Sequence, residues 1–471
     1  MVDFLLAAVQ NDNGVAMQEW YLEGTGASEV TAGTTRVGPG PNTITKMGFE
    51  DIKETCEKMA DKIAAGTVER RNELGMQYLA PDTWPESPGG IQSIGLGQTN
   101  ENHAFIRPLI VAELDNGLST GHCDGSDCWN SEYLNARAEA FFEGRTSLES
   151  SDAKWFVTQI LHKIHLNLDL DEATAREFAD YMSSMITLIP LTENVLYDPL
   201  TARVLGQDPA ATIEKKLQYL EDYKAAVRVK YAGEDWVGDD ERVNLVASVF
   251  MDSLQFAGGL SVPSVLSLAM GLTHMAEANK PDSLKSDVAA DEDWVLWETL
   301  RKYAPVAGVP FWERAVDGGL THVIPNVAQA LMDSSVFPEP LVFKNRGLGF
   351  YHTTMGRTSA PNAGMGWAGS AIASDKDTAN PNSHNCPAQD LSFKLMKSFL
   401  KAFERAGPWS AVDSDEITVN QNGISGFTLL KKGLRHSTGC QWRPKCNDGY
   451  VYSSTNWSCW WGKRDWTCVV A

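Results

Sequence analysis

Basic residues are scarce in this chain: 40 Lys and Arg stand against 61 Asp and Glu, a formal net charge of −21 over 471 residues. Such an excess excludes a general nucleic-acid or anionic-membrane surface, because neither partner is attracted without a local basic patch. The N-terminus, MVDFLLAAVQNDNG, lacks a basic flank and has only a short apolar run, so as written it is neither a signal peptide nor a membrane anchor. Long hydrophobic runs are lacking too. The longest uncharged stretch, Ser253 to Thr273, is interrupted by Gln255, Gly258, Gly259, Ser261 and Pro263 and abuts Asp252. That pattern predicts a buried helix rather than a bilayer span. The chain reads as soluble, with its compartment left open. There is no long internal repeat, low-complexity linker, phosphate loop or hydrolase triad. His162 and His165, three apart in LHKIHL, have the spacing of a metal pair but read first as surface or core residues.

What is present is enough apolar material, 43% of the residues, for a large core. Apolar periodicity predicts helices at residues 14–22, 49–65, 101–114, 132–188, 210–231, 243–275, 292–303 and 390–405. An extended pair is expected around residues 30–44, reversing at GPGPN (38–42), with a loop at 81–97. Short strands and turns fill residues 305–381. Residues 417–431 alternate like a hairpin turning at NQNG. The expected fold is mostly α with small β-sheets. A doubly wound α/β fold would need strands alternating with helices throughout.

Cysteine is unevenly spread: Cys56, Cys123 and Cys128, then Cys386 alone, then Cys440, Cys446, Cys459 and Cys468 in the last 32 residues. Cys386 stands in NSHNCPAQDL, directly before the helix LSFKLMKSFLKAF. There Leu391, Leu395, Met396, Phe399 and Phe403 share one face, and Lys394, Lys397 and Lys401 another. A cysteine at a helix start suits a thiolate ligand, since the dipole and free N–H groups of the first turn favour negative sulfur. The alternative is a small buried hydrophobe. The lysine face suits docking of an electron-transfer protein, or is simply solvated.

Further upstream, Glu298 and Arg301 in DWVLWETLRKYAPV lie three apart on one helix face and can pair. The order of these pieces resembles the cytochrome P-450 superfamily: Glu-x-x-Arg, then a strand-and-turn region, then Cys-Pro about 85 residues on. The resemblance covers about 20–431. It implies the P-450 fold, haem b as cofactor and Cys386 as the ligand to haem iron. It also implies that His384, and His103 and Arg107 in ENHAFIRPLI, meet the haem propionates. Glu298 and Arg301 would be structural, with SSVFPEPLVFKNRG (334–347) as the segment that locks onto them.

Two departures narrow the resemblance. The family's usual Phe seven residues before the cysteine and Gly two after it are Ala379 and Ala388 here. The long loop GWAGSAIASDKDTANPNSHNCPAQD is similar to that of the plant allene oxide synthases, hydroperoxide lyases and divinyl ether synthases. So are VPFWERA (309–315), ITVNQNGISGFTLLKKG and the helix motif around Gln255-Phe-Ala-Gly-Gly. Where a monooxygenase carries an acid before Thr or Ser, Leu260 precedes Ser261. Where the plant branch carries Asn, this chain has Gln255, whose amide offers both a donor and an acceptor to a peroxide. The implied activity is rearrangement or cleavage of a fatty acid hydroperoxide without a reductase. Alternatives are a monooxygenase or peroxygenase acting on a hydrophobic molecule, and a non-enzymatic haem-binding protein.

Residues 436–471 differ in composition and are expected to form a separate small module after a domain spanning 1–435. They hold five of the 15 tryptophans and four of the eight cysteines. Two disulfides, in any of three pairings, or a zinc site would account for the cysteines. The tryptophans suit a peripheral lipid contact, carbohydrate or a partner chain, or are the module's own core. Asn456-Trp-Ser is a glycosylation sequon only if the protein is secreted.

Overall fold

The computed structural model describes residues 22–23, 25, 27–37, 43–58, 61–62, 65–69, 101–118, 131–193, 209–305, 311–355, 386, 388–420, 423–432, 450–456 and 465–470. In chain order the elements are β1 (Thr35–Val37), β2 (Thr43–Lys46), α1 (Phe49–Glu57), β3 (Val68–Glu69), α2 (Glu101–Leu118), α3 (Ser131–Phe142), β4 (Ser147–Glu149), α4 (Asp152–Leu166), α5 (Glu172–Glu193), α6 (Pro209–Lys230) and α7 (Asp240–Ser248). A π-helical segment, Val249–Gln255, leads directly into α8 (Phe256–His274). Then come α9 (Asp293–Lys302), β5 (Phe311–Arg314), β6 (Leu320–Pro325), α10 (Val327–Ala330), α11 (Leu348–Thr354), α12 (Gln389–Ala406), β7 (Trp409–Ala411), β8 (Val419–Asn420), β9 (Gly423–Ile424), β10 (Thr428–Lys431), β11 (Tyr450–Asn456) and β12 (Asp465–Val470).

The helices carry the core. The apolar stripe of α12 is buried along its length, with Leu391, Leu395, Met396, Phe399 and Phe403 all at 2% exposure or less. It packs on α3 and α8, and its Phe399 ring lies 5.0 Å from Phe142 and 5.0 Å from Phe156. The helix ends are tied locally. Asp239 accepts the Glu241 and Arg242 N–H groups at the start of α7. Asn167, at φ 54°, closes α4 by returning its N–H to Lys163 O. The Lys230 ammonium donates to the Ile164 and His165 carbonyls at that same end.

The strands form a five-stranded sheet in the order β1-β2-β6-β5-β3, a three-stranded sheet β4-β10-β7, and two hairpins, β8-β9 and β11-β12. Among the described strands only the β2–β6 pair is parallel, with Thr43 opposite His322 and Ile44 opposite Val323. The 30–44 pair is present as β1–β2, and its GPGPN turn lies outside the described residues.

Three expectations need correction. The 132–188 stretch is not continuous helix: Gly144, at φ 70°, follows the end of α3, and β4 then pairs with β10 nearly 280 positions later in the chain. The 243–275 helix contains the π segment. Seven residues are too few for apolar spacing to separate a 3.6-residue turn from a wider one. The 417–431 alternation is a hairpin only at Val419↔Ile424 and Asn420↔Gly423; Thr428–Lys431 pairs with β4 and β7 instead.

The expected helix at 14–22, apart from Leu22, and the loop at 81–97 fall outside the described residues. So do the proposed 435/436 boundary and Cys440, Cys446 and Cys459. The backbone of Cys468 lies in β12, opposite Tyr452. No helix among the described residues is long and apolar enough to cross a membrane.

Candidate active site

Glu298 and Arg301 sit on the buried face of α9 with no side-chain exposure. Arg301 Nε donates to Glu298 Oε2 at 2.9 Å and Nη2 to Oε1 at 2.7 Å, a bidentate pair. Both groups have further partners. Arg301 Nη1 donates to Leu331 O at 2.9 Å. Arg346 Nε, the Tyr351 hydroxyl and the Lys344 backbone N–H converge on the Glu298 carboxylate at 3.2, 2.9 and 3.3 Å. A buried carboxylate is tolerable only when so fully matched. This knot ties the 334–347 segment and α11 to α9.

Cys386 is half-buried, three residues before the first residue of α12, whose N-cap Ala388 offers no capping side chain. Helix α2 also packs on α12. It brings Arg107, 5% exposed, into the electrostatic range of Cys386. Burial pushes the Arg107 guanidinium down to about 10, and the Cys386 sulfur acts against that.

The π segment ends at Gln255, which is 1% exposed; neither its amide nitrogen nor its amide oxygen has a hydrogen-bond partner among the described residues. An unsatisfied amide in a core costs stability, so its position needs a reason. The two glycines that follow differ. A methyl at Gly258 would come within 2.8 Å of the tip of the Leu161 side chain on α4, so that side chain would have to shift to admit it. Gly259 is buried, yet a methyl on it would meet no described atom within 4 Å. Four residues apart, Gln255 and Gly259 share a helix face. Among the described residues, an amide without a partner and open space beside a buried glycine therefore fall on one helix face.

Solved structures share the fold of this chain over most of its length. One, from work on unusual cytochrome P-450-like monooxygenases involved in microbial secondary metabolism, aligns with a TM-score of 0.54 at 14% identity, over 88% of this chain and 98% of its own. An epothilone B-bound cytochrome P-450 gives 0.52 at 15% identity, over 83% and 92%. The chain has the cytochrome P-450 fold. A further P-450, in complex with an acyl carrier protein ligated to hexadec-9Z-enoic acid, gives 0.51 at 14%, over 83% and 92%. At these identities the likeness is one of fold. No protein-family model matches the sequence, and no curated protein does.

A P-450 fold implies haem, and the residues present suit it. Cys386, just before a helix, would supply a sulfur ligand, Arg107 is a buried cation that would suit a propionate, and the Gln255–Gly259 face has a polar group beside space that no described atom fills. In this P-450 frame His103 lies on the first turn of α2 but its side chain is outside what is described, and His384 lies outside the described residues altogether.

The two α4 histidines are core residues, 3% and 0% exposed. No group of three metal-binding side chains occurs among the described residues. The lysine face of α12 is partly used: Lys397 pairs with Asp293 at 2.5 Å and donates to Asp291 O. Sequence reasoning missed Tyr351, whose hydroxyl completes the Glu298 knot from 53 positions away, and Leu161, whose side chain packs closely on Gly258. Nothing local marks either of them.

Proposed function

We propose that this chain is a haem-thiolate enzyme that rearranges or cleaves a fatty acid hydroperoxide without external reductant, as an allene oxide synthase, hydroperoxide lyase or epoxyalcohol synthase does. The observation that carries the reading is the buried amide of Gln255, without a partner among the described residues and on the same helix face as Gly259, beside which no described atom lies. A hydroperoxide presents one O–H donor and two acceptor oxygens, and an amide has the complement of both. Gln255 would donate its N–H to one peroxide oxygen and accept the terminal O–H at its carbonyl, fixing the O–O bond in a dry site where such bonds are strong.

Haem held through Cys386 would supply the iron that splits the O–O bond, with the thiolate pushing electron density towards it. The start of α12 stabilises that thiolate, and Arg107 offers a propionate its charge. With Leu260 before Ser261, no carboxylic acid stands where one would deliver protons to bound dioxygen. A hydroperoxide needs no such delivery, being already reduced.

A second reading, a monooxygenase acting on a hydrophobic small molecule, is favoured by the description of the first structural neighbour. One assay separates them. Haem-loaded protein is mixed with a polyunsaturated fatty acid hydroperoxide, without reductase or NADPH. Rapid loss of conjugated-diene absorbance supports the first reading. Product formed only when reductase and O₂ are added supports the second. Inertness in both arms supports a haem-binding protein.

A further inference from the structure

One buried pair of side chains has no part in that chemistry. Nδ1 of His162 lies 2.9 Å from Thr158 O, four residues back on α4. A carbonyl only accepts, so Nδ1 carries a hydrogen and donates. Burial pushes the imidazole down to about 4, which leaves the ring neutral and Nε2 bare. Tyr223, on α6, has its hydroxyl 2.8 Å from that Nε2 and therefore donates to it. The two side chains are 3% and 2% exposed. Aromatic rings continue outward from the pair. Phe178 meets His162 edge-on at 4.6 Å and stacks with Tyr223 at 6.1 Å. Tyr219, only partly buried, lies 4.7 Å from Phe178 and 5.0 Å from Tyr181.

A phenol hydrogen-bonded to a neutral base loses an electron more readily than one without, because the proton can leave at the same moment. We propose that Tyr223 and His162 form a redox-active pair. A one-electron oxidant of the class that haem and peroxide generate removes an electron from Tyr223. The phenolic O–H bond breaks, and its proton passes along the existing hydrogen bond to His162 Nε2. The products are a neutral tyrosyl radical, an imidazolium still donating from Nδ1 to Thr158, and the oxidant reduced by one electron. One electron from a thiol or other donor, with return of the proton, restores the pair. Through Phe178 and Tyr219 the hole has a path of adjoining rings towards solvent. The pair drains a stray oxidising equivalent from the interior.

The test uses the holoprotein and a photogenerated ruthenium(III) polypyridyl complex as the one-electron oxidant, with freeze-quench electron paramagnetic resonance as readout. This oxidant acts whatever reaction the haem catalyses, so the outcome is separate from the hydroperoxide assay. The expected result is a neutral tyrosyl signal whose yield shows a solvent deuterium effect, lost in Tyr223→Phe. In His162→Gln, which keeps a hydrogen-bond acceptor but not a base, the yield and the isotope effect should both fall. Double-resonance spectra of the unmodified protein should show an exchangeable proton coupled to an imidazole nitrogen, a readout independent of whether either variant folds. An undiminished signal in Tyr223→Phe, an unchanged isotope effect in His162→Gln, no tyrosyl signal in the unmodified protein, or a radical without the imidazole coupling each overturns the proposal.

Discussion

Glu298 holds Arg301 through two parallel hydrogen bonds, 2.7 and 2.9 Å long, and neither side chain has any exposed surface. Removing either charge strands the other in the core. Glu298→Gln should therefore lose about 3–5 kcal/mol, read as the shift in urea unfolding of the haem-free protein. Because Arg346, Lys344 and Tyr351 hang on the same carboxylate, proteolysis of residues 334–351 should accelerate in that variant. Unchanged unfolding would remove the structural role given to the pair.

Cys386→Ser tests the iron ligand. The variant should lose the absorption signature of thiolate-ligated haem, above all in the ferrous carbon monoxide complex, while keeping its helical circular dichroism. A normal thiolate signature in Cys386→Ser would sink the assignment.

Gln255 sets stability against function. Gln255→Leu removes a buried amide that has no partner among the described residues, so the haem-free protein should gain about 1–3 kcal/mol. Hydroperoxide consumption by the haem-loaded variant should fall in the same experiment series. A variant both less stable and equally active would show that Gln255 is merely a packed core residue.

Acid should weaken the fold through α4. Burial holds His162 down at about 4 and His165 well below its ordinary value, with Lys230 and His162 adding repulsion at His165. Both groups bind fewer protons folded than unfolded. Their contribution is therefore intact above the unfolded value of about 6.5 and is lost as pH falls from there, for His162 down through about 4. For His162 alone the loss amounts to about 3 kcal/mol. Urea midpoints should drop over that window, and His162→Phe should flatten part of the slope. A midpoint independent of pH between 6.5 and 4 would contradict the burial.

A close approach fixes Gly271 on α8. A methyl there would overlap Ile424 of β9 and come within 2.9 Å of Phe427. Gly271→Ala should cost about 1–3 kcal/mol by overpacking, and Ile424→Ala should restore most of it in the double variant. Additive losses would mean the hairpin does not rest on α8 in solution.

The parts legible in the sequence were those set by neighbours along the chain. The α12 stripe from Leu391 to Phe403 and the Glu298–Arg301 spacing both follow from 3.6 residues per turn. The fold followed from the order of these pieces. What escaped lies in pairings between distant residues. β4 looked like part of a helix because its partner is β10. Tyr351 gave no signal because Glu298 is far away in sequence. Gly258 and Gly259 look alike as letters, and only the position of Leu161 separates a glycine crowded by a neighbouring side chain from one with no described atom beside it. The π turn before Gln255 escaped because seven residues carry too little periodicity.

The parallel pairing of β2 with β6 has a consequence for synthesis. Thr43 meets His322 across about 280 residues, so β2, which pairs on its other side with β1, keeps its β6 edge open for most of translation. At 5–20 residues per second that wait is roughly 15–60 seconds. During it the N-terminal strands present open backbone edges, the surface on which chains aggregate. Expression yield of this protein should therefore respond to chaperone supply and to lowered growth temperature more than the stability of the finished fold would suggest.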